Sequence, residues 1–516
     1  MGNADKKTQN KSLIGSTLGV MLVTVVSKVL GFIRTAVVAA IFGASASLDA
    51  FNLGITVIGM LTGPSTGMTT VVIPIRTRLL DEQGRERADR FSSSFLNAAL
   101  LVSFIATLAA LLLSPWIVQI LSPKAEIYDL TLSIIRIFTP LTIAAAVIYV
   151  YCGILNTHKR FIPSNLITIV LNSFWMLGAV LLYKRLGIFA AVIGYMIGTA
   201  FQIFVVVPAA RGLYRYQWRL DWKDPELRHA FLMCVPIFIG SFSSSIGQAV
   251  DKALASSLTV GSVSAINYAA QLIALVQGII ILPIITTVFT SLAEHAQKRD
   301  MISLKTLLSK AYIMLTIVLL PITAYCLFFD QEIVSVVYQR GAFDSTATVM
   351  TSYAFSLYSL GLLPTALGLA ATRCFYAFHD MKTPLYISIV GIVADIVLNY
   401  AFIGPLGIRG LALSTSISSL LICIMQALYL RKKIGFTGGG RLISQSWKIL
   451  IALAGLLMAI LLVREVTAGT GAFPQLVLAA VAGLGTYAAI LLLLKQEDVL
   501  KLWKYIVGLL RPRAQR

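Results

Sequence analysis

Ionisable residues stand inside stretches of apolar sequence long enough to cross a bilayer, and they are the first candidates for chemistry. In the first stretch, Leu13 to Phe42, they are Lys28 and Arg34, with Asp49 just past its end. Later stretches carry Asp251 beside Lys252, and Asp395 with Asn399 one turn on. A lone cation at mid-bilayer costs at least about 2.5–3.5 kcal/mol on insertion scales, so such residues face a polar cavity or a partner and mark function.

Two cations in a low-dielectric cavity suit a doubly charged anion such as a pyrophosphate, and the planar arginine fork matches phosphate oxygens in pairs. A step of six residues turns an ideal helix through about 600°, leaving Lys28 and Arg34 about 120° apart. They reach one cavity if it is wide or if the helix bends at Gly31. Asp49 lies about 22 Å of straight helix beyond Arg34, too far to neutralise it directly.

The acidic set reads differently. Asp395 and Asn399, four residues apart, share a helix face; Asp251 sits midway along the seventh stretch and Thr415 in the twelfth. Carboxylate, amide and hydroxyl oxygens form the ligand set of a hard monovalent cation. Two other readings stay open at this point. Asp251 can pair with Lys252 while Asp395 is a hydrogen-bonded packing residue, or a buried carboxylate can carry a proton and couple transport to it.

Enzymatic chemistry has no foothold. There is no Walker loop, no HExxH and no GxSxG, and His158, His229, His295 and His379 all fall in loops between apolar stretches. No catalytic metal and no cofactor is expected beyond a coupling sodium ion. The five cysteines, Cys152, Cys234, Cys326, Cys374 and Cys423, form no CxxC pair and read as small buried hydrophobes. The work left to the chain is binding and movement.

The elements that must position these residues follow from composition. A chain of 516 residues, 58% hydrophobic and 12% charged, with mean hydropathy +0.85, is a polytopic all-α membrane protein rather than a soluble globule. Fourteen spans are expected, from 13–43 to 474–494, the first of them uncleaved because no small-residue cleavage site follows Lys6, Lys7 and Lys11. With the N-terminus in the cytoplasm, cytoplasmic tails and loops hold 31 Lys or Arg against 6 outside and 5 in or beside spans. The net charge of +20 is therefore membrane topology, with both termini inside, and not a nucleic-acid footprint. Gly63-Pro64-Ser65-Thr66-Gly67 is expected to break the second span.

An internal repeat orders the chain. THKRFIP (157–163) before LGI (186–188) has a counterpart in HDMKTP (379–384) before LGI (406–408), and IFGASASLDAFN (41–52) has one in SLTVGSVSAINYA (257–269). An offset of about 220 residues covers six spans, so both copies run the same way across the membrane. The expected domains are an N-terminal lobe at 1–225, a C-terminal lobe at 226–440, two extra spans at 441–495 and an amphipathic tail at 496–516 on the inner leaflet.

SKVLGFIR (27–34), FGASASLDAF (42–51), GSVSAINYA (261–269), RGAF (340–343) and FYAFHDMKTP (375–384) through NYAFIGPLGIRGLALSTSIS (399–418) resemble, in order, segments of the MurJ-type (MviN) lipid II flippases of the multidrug, oligosaccharidyl-lipid and polysaccharide exporter superfamily. The resemblance implies two six-helix lobes around a cationic cavity. It implies alternating access that carries an undecaprenyl-pyrophosphate-linked oligosaccharide, lipid II in this family, from the inner to the outer leaflet of the bacterial cytoplasmic membrane. Carried onto this sequence, Lys28, Arg34 and Asp49 serve the substrate, and a sodium site falls on Asp251, Asp395, Asn399, the Leu411 carbonyl and Thr415. The implied partners are the lipid-linked substrate, membrane lipids and cell-wall synthases, with the protein itself a monomer.

The sequence also departs from the family pattern. Lys28 stands where an arginine is usual and Thr35 where an acidic residue is, the 63–67 segment replaces an arginine-rich one, and Tyr268-Ala269-Ala270-Gln271 replaces Tyr-Ala-Asp-Arg. These differences keep two alternatives in view: a flippase for another polyprenyl-linked envelope polysaccharide, and a cation-coupled drug exporter of the same superfamily.

Overall fold

Backbone amides have no water to bind in hydrocarbon, so apolar runs of this length must close their hydrogen bonds within the segment as helix. The computed structural model describes residues 3–122, 124–298, 300–435, 439–467, 469 and 471–500, and among these there is no strand. Twelve helices are long and apolar enough to cross a membrane, and a bent pair makes thirteen.

Two compact units divide the chain: Met1–Tyr268 with Arg340–Ala347, and Ala269–Gln339 with Thr348–Arg516. The first unit holds α1 (Asn3–Phe42), α2 (Ala46–Leu121), α3 (Ala125–Phe138), α4 (Leu141–Thr157), α5 (Phe161–Leu186), α6 (Phe189–Ala209), α7 (Pro225–Ser256) and the start of α8 (Ser262–Val276). The second holds the rest of α8, a π-helical turn at Gln277–Ile281, α9 (Leu282–Gln297), α10 (Met301–Phe328) and α11 (Asp330–Tyr338). It continues with α12 (Ser345–Ser359), α13 (Leu362–Ala377), α14 (Lys382–Leu406), α15 (Ile408–Ile434), α16 (Gly439–Val466) and α17 (Ala472–Leu493). Helices α12 and α13 are the bent pair, 43° apart. Residues 501–516, most of the expected amphipathic tail, lie outside the described residues.

The fourteen expected spans are not reached by this count because the expected second and third are one helical run, α2, in which Gly84 (φ 81°, ψ 176°) turns the chain. The expected break at 63–67 is absent: α2 continues through Pro64. Pro64 removes one backbone donor, the one that would reach the Met60 carbonyl, and the flanking helix carries the chain through. The backbone of α1 likewise stays helical through Gly31.

Backbone angles bear the repeat out. Lys159 (φ 58°) and His379 (φ 57°) close their helices in the left-handed region, although neither is glycine. Arg160 N–H then reaches back to Leu155 O at 2.9 Å, and Asp380 N–H to Phe375 O at 3.0 Å. Gly187 (φ 55°, ψ −132°) and Gly407 (φ 56°, ψ −130°) join α5 to α6 and α14 to α15 in a conformation open only to glycine.

In the first unit, Val71, Val72 and Ile75 of α2 pack against Phe91 and Phe95 across the Gly84 hairpin and against Val150 and Ile154 of α4 and Leu227 of α7. In the second, Ile313 of α10, Ile449, Leu456 and Ile460 of α16 and Tyr487 and Leu491 of α17 form a separate core. Four cysteines are buried and Cys423 is half-buried, all as free thiols.

Candidate functional site

Arg34 is the centre of the first unit's polar chemistry. Its Nη1 donates to Asn172 Oδ1 of α5 at 2.7 Å and its Nη2 to Thr35 Oγ1 at 3.1 Å. The guanidinium carbon lies 3.8 Å from the ring centroid of Trp175, one turn along α5. A desolvated cation over an indole face gains about 2 kcal/mol, so α5 holds the guanidinium flat and points it.

It points into a small cavity whose polar lining is Arg34, Thr35, Asn52, Asn267, Tyr268 and the Trp175 indole. Hydrogen bonds set the lining. Asn267 Nδ2 donates to Asn52 Oδ1 at 3.2 Å, Asn52 Nδ2 to Ser264 Oγ at 3.2 Å, and the Tyr268 hydroxyl to Gly43 O at 2.9 Å. Amide, hydroxyl and guanidinium groups around one space can take an anion's oxygens, the cation supplying charge and the neutral donors direction. One turn past Asn52, Thr56 Oγ1 donates to Asn52 O at 2.7 Å and accepts from the Lys252 ammonium of α7 at 2.9 Å.

The other candidates of the basic set lie apart from this lining. Lys28 is exposed on α1 and does not line the Arg34 cavity. Asp49 is 4% exposed and faces away from it: Oδ2 accepts Gly261 N–H at 2.7 Å, and Oδ1 accepts Ser264 N–H at 2.8 Å and Ser264 Oγ–H at 2.6 Å. It is thus the cap of α8, a carboxylate placed on the positive end of a helix dipole.

Beside that cap three backbones meet without side chains between them. The 340–347 segment docks on the end of α1 through Ala342 N–H to Ala40 O at 2.8 Å. A Cβ on Gly341 would strike the Ala40 carbonyl, one on Gly43 the Ala342 carbonyl and one on Gly261 the Ala44 carbonyl.

Of the expected sodium ligands, Asp251 belongs to the first unit and is half-buried on α7. The other four belong to the second unit: Asp395 (9% exposed) and Asn399 (0%) on α14, and Leu411 (0%) and Thr415 on α15, helices that pack together. Thr415 Oγ1 donates to the Leu411 carbonyl at 3.2 Å. Their donors are all oxygens, which fits a hard cation. No group of three or more His, Cys, Asp or Glu that could hold a metal is present among the described residues.

Asn172 and Asn267 complete the geometry around Arg34 without having been singled out by spacing. An asparagine inside an apolar run was the available signal for Asn172. Trp175 gave none, since a tryptophan in a span also suits lipid.

A helical membrane chain with an internal repeat and a half-buried arginine at a polar cavity defines a membrane transporter. Its fold is that of the structure titled "Inward-facing conformation of a multidrug resistance MATE family transporter of the MOP superfamily" (TM-score 0.71, 16% identity, 79% of this chain and 94% of that one). The fold is also that of "Lipid II flippase MurJ, inward closed conformation" (TM-score 0.78, 22% identity, 92% of this chain and 99% of that one).

The family model described as "Lipid II flippase MurJ" matches residues 38–481, and the chain belongs to that family. A relative from Treponema pallidum (strain Nichols), described as "Probable lipid II flippase MurJ", is 26% identical over 436 residues, 82% of each chain. The expected resemblance is borne out, and the family is one of transporters rather than of catalytic enzymes.

Proposed function

We propose that the chain is a flippase for an undecaprenyl-pyrophosphate-linked oligosaccharide, with lipid II as substrate, moved from the inner to the outer leaflet of the bacterial cytoplasmic membrane by alternating access. The observation that carries this reading is Arg34, held by Asn172 and Trp175 over a cavity lined by neutral donors. A pyrophosphate brings oxygens enough for the guanidinium fork and for the amides of Asn52 and Asn267 at once. Lys28, exposed on the same helix, meets the anion on its way to the cavity, and Asp49 fixes α8 and so the positions of Asn267 and Tyr268. The basic loops and both termini face the cytoplasm, and the protein works as a monomer beside cell-wall synthases.

Rescue of cells depleted of their own lipid II flippase tests the reading. The wild-type chain restores growth, and Arg34→Ala does not although it accumulates in the membrane; growth with Arg34→Ala would overturn the assignment. A different polyprenyl-linked envelope unit is the second reading, favoured by Ala270 and Gln271 where the family pattern has an acid and a cation.

Sodium drives the cycle in this proposal, bound within the second unit by Asp395, Asn399, the Leu411 carbonyl and Thr415. Sodium then raises the unfolding temperature of the wild-type chain and leaves that of Asp395→Asn or Asn399→Ala unchanged. A rise that persists in both variants would remove the site.

A further inference from the structure

The connection between α6 and α7 is built to present aromatic side chains outward. From Tyr214 to Asp221 it has neither helix nor turn, and its backbone is tied down on the α2 hairpin. Arg215 N–H donates to Asp89 Oδ2 at 3.1 Å, Gln217 N–H to Ser93 Oγ at 3.0 Å, and Asn97 Nδ2 to Arg219 O at 2.8 Å. Trp218 is 92% exposed and Leu220 38%, whereas Tyr216, 42% exposed, donates its hydroxyl to Asn97 Oδ1 at 2.9 Å, and Trp222, 50% exposed, stacks on Phe231 of α7. Large rings held out by a fixed backbone suit the headgroup layer of a membrane, where an indole can be apolar on its face and polar at its edge.

Beside this row lies a cavity of about 260 Å³ lined by Arg87, Arg90, Arg219 and Lys223, with Ser94, Asp221 and Asp224. Arg87 is engaged by Asp224 through both nitrogens, at 2.7 and 2.8 Å, and Arg219 by Asp221 at 3.3 Å. Arg90 is engaged in turn by Glu86, so three of the four basic side chains have carboxylate partners and Lys223 supplies the cavity's excess positive charge. It shares no residue with the Arg34 cavity.

We propose that this cavity holds the headgroup of an anionic glycerophospholipid, with Trp218 and Trp222 seated among neighbouring headgroups. Charge selects the lipid: a phosphodiester with a neutral glycerol head keeps its negative charge, whereas a choline head cancels it. The loop then fixes the depth at which α6 and α7 stand in the bilayer. A bilayer lipid rather than a soluble phosphate is the occupant because exposed Trp218 and Leu220 flank Arg219 of the lining in sequence and suit the headgroup layer.

The test uses the full chain in nanodiscs of phosphatidylcholine with increasing phosphatidylglycerol, read by thermal unfolding and by lipid adducts in native mass spectrometry. The unfolding temperature rises with phosphatidylglycerol, and adducts fall about fivefold for each charge removed in Arg219→Gln and Lys223→Gln. Lys432→Gln, in a basic stretch away from the cavity, keeps wild-type adducts. Trp218→Ala, whose side chain is almost wholly exposed, serves where a charge variant fails to fold and also lowers adducts. Equal phosphatidylglycerol adducts in the wild type, Arg219→Gln, Lys223→Gln and Trp218→Ala would overturn the proposal. So would inorganic pyrophosphate in pure phosphatidylcholine discs matching the stabilisation by phosphatidylglycerol, which would assign the cavity to a soluble or substrate phosphate instead.

Discussion

Asp49 and Ser264 are joined twice, carboxylate Oδ1 to backbone N–H at 2.8 Å and to hydroxyl at 2.6 Å, so the start of α2 caps the start of α8. A carboxylate accepting charge-assisted bonds in a buried setting is worth about 1.5–3 kcal/mol per strong bond. Asp49→Ala leaves the Gly261 and Ser264 amides without that acceptor and lowers stability by about 3 kcal/mol, whereas Ser264→Ala, which keeps the backbone bond, costs about 1 kcal/mol. Thermal unfolding in detergent reads both. Equal losses would show that the hydroxyl, and not the helix cap, carries the contact.

The Arg34 guanidinium depends on Trp175 for its plane. Trp175→Phe retains an aromatic face, and Trp175→Leu removes it at similar apolarity, a loss of about 0.5–2 kcal/mol in the pre-organisation of the cation. Binding of a polyprenyl pyrophosphate should therefore weaken about 2- to 30-fold in Trp175→Leu and less in Trp175→Phe. Affinities from ligand-dependent thermal shifts of the three proteins check this, and identical affinities would limit Trp175 to packing.

The reach of the sequence is clearest at pairs of positions one repeat apart. Gly187 and Gly407, and Lys159 and His379, share backbone angles because THKRFIP and HDMKTP specify the same helix ends, and local chemistry of that kind is readable without a structure. The same register sets Trp175 of α5 opposite Asp395 of α14, so one helix position serves an arginine in one unit and carries a buried carboxylate in the other. No spacing rule announces that exchange. The partner of Arg34 is hidden because it comes from α5, 138 residues away, and the capping role of Asp49 is hidden because its partners, Gly261 and Ser264, lie 212 and 215 residues on. The Gly63–Gly67 segment reads as a break because glycine and proline cluster there, yet α2 continues through it at the loss of the one backbone bond that Pro64 cannot donate.

Gly341 has φ +62° and sits where an added Cβ would meet the Ala40 carbonyl. Gly341→Ala must strain the backbone or push 340–347 off the end of α1, at a cost of about 1–3 kcal/mol. Gly485, helical with nothing within 4 Å of the Cβ position, gives the opposite sign: Gly485→Ala stabilises by up to about 1 kcal/mol. Unfolding temperatures of the two variants should therefore move apart, and a neutral Gly341→Ala would show that the docking is loose.

His158 lies past the end of α4, and burial first, then the nearby Arg76 and Arg85 cations and Arg160, pull its pKa below the usual 6.5 despite the opposing charge of Asp89. A group whose folded pKa is depressed binds fewer protons folded than unfolded, so its contribution is complete above about pH 6.5 and is lost as pH falls toward the folded value. Asp380, held down to about 2 by the Lys433 ammonium and by Thr383, acts with the same sign in a lower window, between about pH 4 and pH 2. Two descending limbs therefore separate in a stability–pH profile. His158→Gln should flatten the limb that begins near pH 6.5 and leave the lower one, and Asp380→Asn should do the reverse. An unchanged upper limb in His158→Gln would assign that loss to another group.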